Sequence, residues 1–236
     1  MEQSCNTANS GLISLNTQPF VFKHNTNKGT IILPLNFPTF IPFSQKVLVE
    51  KIIKSMNIVL QQLIPGLTIG IKDLGTQTAD NGEIESKIQL MSRNGKIPLK
   101  NEAEGIKKII SVLQLLIVVY NQPSITVAID ELDAGIFEYL LGEILRIISE
   151  KGKGQLIFTS HNLHPLETIN KNFIAFTTTN PNHRYIRLKN VKNGNNLRDF
   201  YYHDIMLGEQ NEPLYETTNN AEIAFAFREA GVFDAT

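Results

Sequence analysis

Three side chains that are suited to phosphate chemistry follow two apolar runs in the middle of the chain. Residues 124–135, SITVAIDELDAG, contain the adjacent carboxylates Asp130 and Glu131, and residues 155–161, QLIFTSH, end in His161. Short apolar runs that are rich in β-branched residues are typical of buried strands. Because the carboxyl ends of neighbouring parallel strands meet in one crevice, we expect these side chains to converge there.

Asp, Glu and His in one crevice could hydrolyse a phosphate bond. One carboxylate would hold Mg²⁺ and the other would orient or deprotonate the attacking water. Successive side chains point in different directions, so adjacent residues can divide these tasks. A neutral imidazole could exchange a hydrogen bond with the terminal phosphate or the water. The alternative interpretation is structural: the acidic pair starts a turn, and Ser160-His161-Asn162 caps a helix.

A third candidate segment is residues 99–110, LKNEAEGIKKII, which predicts the start of a helix. Helix N-termini attract anions through their backbone N–H groups and their dipole. Gly105 would let a phosphate approach closely, and Lys107 or Lys108 could add positive charge. The acidic residues of the first turn suit an ordinary helix equally well.

Composition is that of an ordinary globular protein. The chain has 236 residues, enough for one good-sized domain or two small ones, with 42% hydrophobic and 19% charged residues. The net charge of −1 provides no global basic field. Cys5 is the single cysteine, which excludes an internal disulfide and a cysteine-based zinc site. With no apolar run long enough to span a bilayer and no secretory signal, we expect a cytoplasmic protein without a membrane partner.

The N-terminal part of the chain, residues 1–98, predicts a hairpin, a helix and a β-meander. An Asn-Lys-Gly turn joins the first two strands, Ser44 is an acceptable helix N-cap, and Pro65-Gly66 ends the helix. The predicted elements are strands over 20–23, 30–35, 67–74 and 84–92 and a helix over 44–63.

Residues 99–195 alternate between helical and strand patterns, which predicts an α/β fold with a parallel sheet and crossover helices. The first helix should bury its isoleucines and leucines and expose Lys107, Lys108, Ser111 and Gln114. For residues 196–236 the pattern predicts a helical tail. The predicted helices are 101–120, 136–150, a short one from 165, 197–207 and 221–230, and the predicted strands are 125–130, 155–159, 173–178 and 184–188.

Taken together, EAEGIKK, TVAIDELDAGI and LIFTSHN resemble the ABC-type ATPases of the SMC, RecF and OLD-like group. The motifs follow the family's order over residues 99–167. The likeness is strongest to small bacterial AAA-type, ABC-clade ATPases of phage-defence and abortive-infection systems, whose signature often reads ESEGTK. The resemblance implies a P-loop-NTPase-like parallel sheet with crossover helices, incomplete here and preceded by a β-rich segment. It also implies ATP and Mg²⁺ as ligands, with hydrolysis coupled to a defence or DNA-transaction output.

For the helix start, the resemblance implies contact with a nucleotide across a dimer. Residues 103–107 match the signature motif, so Ala103, Glu104, Gly105 and Lys107 would approach the γ-phosphate held by a partner subunit. The family has a serine where this chain has Ala103, so one hydroxyl contact is lost.

For the strand ends, the resemblance implies the hydrolytic roles. Asp130 matches the Walker B aspartate on Mg²⁺, and Glu131 matches the catalytic base or water-positioning residue. Asp133 lies in the matching D-loop, residues 132–135, which reaches across a dimer interface. His161 matches the switch histidine that senses the γ-phosphate.

The sequence departs from the family because no G-x-x-x-x-G-K-[ST] phosphate loop occurs in it. Its Gly-Lys pairs, at 95–96 and 152–153, lie in predicted turns and lack the required spacing. In the family this loop lies N-terminal to the signature, so we expect the C-terminal portion of a longer ATPase that is nearly inactive alone. A homodimer or a segment bearing the phosphate loop would complete the site.

Two other functions fit parts of the pattern. A non-catalytic interaction module that completes a partner's site would explain Ala103 and the missing phosphate loop. A Toprim-like metal nuclease would use Asp130, Glu131 and Asp133, but it also needs a glutamate on an earlier strand, for which Glu83 and Glu85 are poor candidates.

Nucleic-acid binding has one candidate region. Basic residues recur beside Tyr185 on a strand-like stretch, where they could form a modest patch. A solvated strand face is the alternative. The basic residues are His183, Arg184, Arg187, Lys189 and Lys192.

Overall fold

The computed structural model describes residues 21–26, 29–187, 196–207 and 218–231. It is a mixed α/β protein whose chain divides into two compact units, one up to Thr168 and the other from Ile169. The boundary between these units differs from the predicted boundaries after residues 98 and 195. The division into parts 1–98, 99–195 and 196–236 stays a prediction.

The first unit combines antiparallel strands, a parallel strand pair and four helices among its described residues. Its elements are β1 Val21–Thr26, β2 Gly29–Pro34, β3 Thr39–Pro42, α1 Phe43–Leu63, β4 Ile69–Thr78, β5 Ile84–Ser92, β6 Ile97–Pro98, a 3-10 turn Leu99–Asn101, α2 Glu104–Asn121, β7 Thr126–Ile129, α3 Glu138–Lys151, β8 Gln155–Phe158 and α4 Pro165–Thr168.

The second unit has a small hairpin and two helices in its described part. Its elements are a 3-10 turn Lys171–Phe173, β9 Phe176–Thr177, β10 Tyr185–Ile186, α5 Leu197–Leu207 and α6 Asn220–Gly231. The ring of Phe176 stacks on Tyr201, with 4.9 Å between their centroids. The candidate basic patch begins at this hairpin, but Lys189 and Lys192 lie outside the described residues.

The predicted N-terminal elements are confirmed. β1 and β2 pair antiparallel, and β3, β5 and β4 form an antiparallel sheet in that order, with β6 added on β5. The residues of the first predicted turn lie partly outside the described part of the chain. Helix α1 begins at Phe43, with Pro42 as its N-cap, so the prediction of Ser44 as N-cap is wrong. Proline suits this place because the first N–H groups of a helix have no carbonyl partner within the helix. The N–H that proline lacks therefore costs no helical hydrogen bond.

The predicted crossover is confirmed for one strand pair. β7 and β8 run parallel, with Ile129 opposite Phe158, and α3 connects them. Among the described residues parallel pairing is confined to these strands, so the larger P-loop-like parallel sheet is not confirmed. β9 and β10 pair antiparallel instead. Their connection is a short turn, whereas parallel neighbours need a crossover of a dozen residues or more.

Helix α2 is central to the first unit. It contacts α1, α3 and β7, and its aliphatic residues are buried on several sides. The prediction that Lys107 and Ser111 lie on an exposed face is therefore wrong, since both are buried. A helix that neighbours cover on several sides has no wide polar face. Within the described part of the chain, no helix has the length and apolar character to cross a membrane.

Candidate functional site

The parallel pair brings the two apolar runs together at their carboxyl ends. Asp130 follows β7, and Thr159 follows β8 directly beside it. The Thr159 hydroxyl donates to Asp130 Oδ1 and accepts from the backbone N–H of Glu131 at 2.8 Å. Thr159 thus holds both acidic residues, a role that sequence reasoning missed. The available signal was a hydroxyl residue directly after the neighbouring strand.

Glu131 has an unusual backbone conformation. Its φ is +47°, in the left-handed region that residues other than glycine seldom adopt. The N–H of Leu132 donates to the carbonyl of Thr159 at 3.0 Å, and the Leu132 side chain is buried, so the turn is fixed on both sides of the strand pair. Strain of this kind persists only where the surroundings hold it, and it is concentrated at functional sites.

The structure brings Glu131 and His161 together, as expected. His161 Nε2 lies 3.9 Å from Glu131 Oε1, and the two side chains are 87% and 53% exposed. This distance permits an ion pair when the imidazole is protonated, and it leaves both groups open to a ligand from solvent. Asp130 is held on the Thr159 side of the same turn.

Asp133 is engaged with the histidine loop. Its Oδ2 accepts from the backbone N–H groups of His161 at 3.1 Å and Asn162 at 2.9 Å. Its Oδ1 is buried, with no hydrogen-bond partner among the described residues. A carboxylate that accepts two backbone N–H groups fixes the segment that carries them. Asp133 therefore holds the main chain of His161 within this chain; its D-loop role across a dimer stays a prediction.

The start of α2 lies directly against the acidic turn, residues 130–135. A Cβ atom on Gly105 would lie 2.2 Å from the carbonyl oxygen of Gly135, which itself has a φ of +75°. The missing side chain of Gly105 therefore permits a backbone contact within the chain. Ala103, the N-cap residue of α2, makes no side-chain capping bond.

The two lysines of α2 have different surroundings. Lys107 is buried, and its Nζ lies 2.5 Å from Oε1 of the exposed Glu104. Burial lowers the pKa of Lys108, while the charges of Glu131, Asp133 and Asp130 act in the opposite direction. The charges of the acidic turn thus act on Lys108, a residue outside the predicted site set, while the role of Lys107 at a nucleotide stays a prediction.

Glu102 attaches the start of α2 to the antiparallel sheet. Its Oε1 accepts from Ser92 Oγ at 2.6 Å and from Arg93 Nε at 2.9 Å. Burial raises the pKa of Glu102, but these two hydrogen bonds outweigh burial and hold the pKa below its ordinary value. The carboxylate form is therefore the one that the folded protein stabilises.

We expect Glu102→Gln to lower the free energy of unfolding by about 1–2 kcal/mol at pH 7, since charged hydrogen bonds become neutral ones. A depressed folded-state pKa gives stability that is present above the unfolded value of 4.5 and lost as pH falls through the folded value. Urea unfolding of both proteins between pH 7 and pH 3 checks this. The difference should shrink below about pH 4.5; a constant difference would contradict the charge argument.

The carboxylates of the acidic turn suit a Mg²⁺ ion that takes most of its ligands from nucleotide phosphates and water. In the part of the chain that the structure describes, no group of three or more His, Cys, Asp or Glu side chains is arranged to hold a metal ion. Mg²⁺ commonly uses one or two carboxylates together with phosphate oxygens and water. Asp130, fixed by a hydroxyl and directed from a strand end, fits such a partial site.

The nuclease alternative receives no support from Glu85. This residue lies on β5 in the antiparallel sheet, where its Oε2 accepts from Gln77 Nε2 at 3.1 Å, and β7 lies in a different sheet. Glu83 lies in the preceding turn, outside any strand. Among the residues that the structure describes, no earlier glutamate is thus placed beside β7 through strand pairing.

The structural neighbours of the chain are SMC head ATPase domains. One of them, an SMC ATPase studied for ATP-driven dimerization and DNA-stimulated activation, is 10% identical. The match covers 71% of this chain and 98% of that chain, with a TM-score of 0.48. An Smc head from Pyrococcus furiosus, bound to the C-terminal domain of ScpA, is 14% identical over 51% of this chain and 30% of its own, with a TM-score of 0.37. A head from Pyrococcus yayanosii is 16% identical over 52% and 24%, with a TM-score of 0.38.

This chain thus spans less than a third of the length of the two Pyrococcus chains. No protein-family model matches the sequence, and no curated protein matches it. At these identities and TM-scores the neighbours assign no role to an individual residue of this chain.

Proposed function

We propose that this chain supplies the hydrolytic half of an ABC-type ATP site. One observation carries the proposal: Asp130, Glu131 and His161 follow the ends of neighbouring parallel strands, and Glu131 and His161 lie 3.9 Å apart. These are the residue types that metal binding, water orientation and phosphate contact require. The resemblance of the three motifs to ABC-type ATPases supports the same assignment.

Each of the three side chains has a distinct task in this proposal. Asp130 would hold Mg²⁺, which when bound neutralises phosphate charge, and the Thr159 hydroxyl keeps this carboxylate in place. Glu131 is exposed, so its carboxylate can accept a hydrogen bond from the attacking water and orient it. His161 can donate a hydrogen bond from its ring to the terminal phosphate.

We further propose that a second polypeptide segment supplies the phosphate loop. The 236 residues contain no G-x-x-x-x-G-K-[ST], and three carboxylates in one turn repel a polyanion. Ala103, Glu104 and Gly105 would present the start of α2 to a nucleotide held by that segment or by a second subunit, and Lys107 steadies Glu104 through its ion pair. The motif resemblance favours a phage-defence or DNA-transaction output in the cytoplasm.

ATP hydrolysis by the 236-residue chain, alone and mixed with a phosphate-loop-bearing fragment of an ABC-type ATPase, tests the proposal. We expect negligible turnover alone and Mg²⁺-dependent turnover in the mixture. Glu131→Gln should lower kcat of the mixture by about 10²–10⁴-fold, because it removes the carboxylate that orients water. The matched control is Glu83→Gln, the same change in an exposed turn.

Each other outcome has a defined meaning. Turnover by the chain alone that Glu131→Gln abolishes would overturn the half-site. Turnover of the mixture that is indifferent to Glu131→Gln would overturn the catalytic assignment. A stable complex without turnover would favour the non-catalytic module, which the uncapped start of α2 at Ala103 would also suit.

A further inference from the structure

His164 ends the loop that carries His161, and its imidazole packs against α3. The side chain is only 12% exposed, and its ring centroid lies 5.1 Å from that of Tyr139. The ring covers Gly142, where a Cβ atom would lie 2.2 Å from His164 Cδ2 and 2.4 Å from Nε2. Glycine is a weaker helix former than alanine. Its presence inside α3 therefore has a packing reason, because it leaves the room that this ring occupies.

Two carboxylates lie beside Nδ1 of the same ring. His164 Nδ1 is 2.9 Å from Glu167 Oε2 in α4 and 3.8 Å from Glu138 Oε1 in the first turn of α3. An Nδ1–H group can donate to a carboxylate in the neutral imidazole as well as in the charged one. His164 is thus held by packing on α3 and by a hydrogen bond to α4, and the two together restrict its side-chain rotation.

The main chain of His164 is joined to that of His161 by a short series of hydrogen bonds. The His164 N–H donates to Asn162 Oδ1 at 2.8 Å. The Asn162 N–H in turn donates to Asp133 Oδ2, the oxygen that also accepts from the His161 N–H. The loop is therefore fixed at two ends, since Asp133 holds its start and the His164 ring holds its end on α3.

We propose that His164 is a positioning residue for His161: its imidazole, packed on Gly142, keeps the His161 loop where His161 lies beside Glu131. The first part, the anchoring of the loop, depends only on the contacts of the ring. The second part, that this anchoring supports hydrolysis, rests on the proposed function, in which His161 contacts the terminal phosphate. His164 acts through His161 and not by contact with the nucleotide.

Amide hydrogen exchange of the full chain at pH 7, resolved by residue and without nucleotide, tests the anchoring. His164→Ala removes the ring, whereas Gly142→Ala displaces the ring with a methyl group and leaves it in the chain. Each change should accelerate exchange of the His161 and Asn162 N–H groups about tenfold. In the His164→Ala background, Gly142→Ala should change these rates by less than about twofold, because the methyl group then has no ring to displace.

Val49→Ala is the control for general destabilisation. Val49 is fully buried in α1, so its truncation lowers the stability of the whole protein. Exchange of the loop amides by local opening should nevertheless stay within about twofold of the parent chain. Unchanged exchange in both His164→Ala and Gly142→Ala would overturn the proposal, and so would equal acceleration by Val49→Ala. Additive acceleration in the double variant would overturn the packing of the ring on Gly142.

Turnover of the mixture with the phosphate-loop-bearing fragment tests the second part. His164→Ala should lower kcat about tenfold and change KM for ATP by less than about threefold, since the phosphate loop supplies most of the grip on the nucleotide. In a His161→Ala background, His164→Ala should lower kcat no further. An equal loss in both backgrounds would overturn action through His161. A mixture that does not turn over contradicts the proposed function, whereas the exchange rates still decide whether His164 positions His161.

Discussion

Gly105→Ala should lower the free energy of unfolding by about 3 kcal/mol, although alanine is the better helix former by about 1 kcal/mol. The new methyl group would lie 2.2 Å from the carbonyl oxygen of Gly135, and this contact is with backbone, which cannot rotate away. Relief requires the first turn of α2 to separate from the acidic turn. Urea unfolding monitored by circular dichroism measures the change.

A matched control is Gly70→Ala. Gly70 lies on β4, and a Cβ atom there would meet nothing within 4 Å. We expect its free energy of unfolding to change by less than about 0.5 kcal/mol. If Gly105→Ala were as mild as Gly70→Ala, the close approach of α2 to Gly135 would be wrong, and Gly105 would be available for the ligand contact that its sequence context predicts.

Asp133→Ala should both destabilise the protein and loosen the histidine loop. It removes the acceptor of two backbone N–H groups, those of His161 and Asn162, at a cost of about 2–3 kcal/mol. Amide hydrogen exchange reports the local effect, and we expect the exchange of these two N–H groups to accelerate about 100-fold. Exchange of the buried amides in α1 should follow only the global change in stability.

Asp133→Asn separates geometry from charge. Asparagine keeps an oxygen that can accept from both N–H groups, so its exchange rates should stay within about tenfold of the parent chain. Equal acceleration by the alanine and asparagine variants would show that charge, and not the acceptor position, holds the loop. No acceleration by either would mean that Asp133 does not position His161.

The elements that depend on local sequence signals, such as turn residues and hydrophobic periodicity, were predicted well from the sequence. The antiparallel pairing of β4 with β5, the end of α1 before Pro65 and the crossover helix α3 depend on turn residues and periodicity within short windows. The convergence of Glu131 and His161 followed from one topological rule for parallel strands. These parts of the site required no knowledge of remote packing.

Features that depend on remote neighbours could not be predicted in the same way. The burial of Lys107 and Ser111 depends on which elements cover α2, and the pattern of one helix does not contain that information. The position of Gly105 at the start of a helix suggested a phosphate contact. Its packing shows a backbone contact with Gly135, thirty residues later, which the local sequence does not reveal. Thr159 acts through a strand register that becomes visible only when β7 and β8 are paired.

The fixed contacts around α2 have a mechanical consequence. Glu102 joins the base of this helix to the end of β5 through Ser92 and Arg93, and Gly105 is seated on Gly135 within the next turn of chain. The first of these links is made by side chains, which can adjust by rotation, whereas the contact of Gly105 with Gly135 is backbone against backbone and cannot. The start of α2 therefore connects the end of β5 to the acidic turn, and a displacement of its first turn would change the backbone position of Gly135.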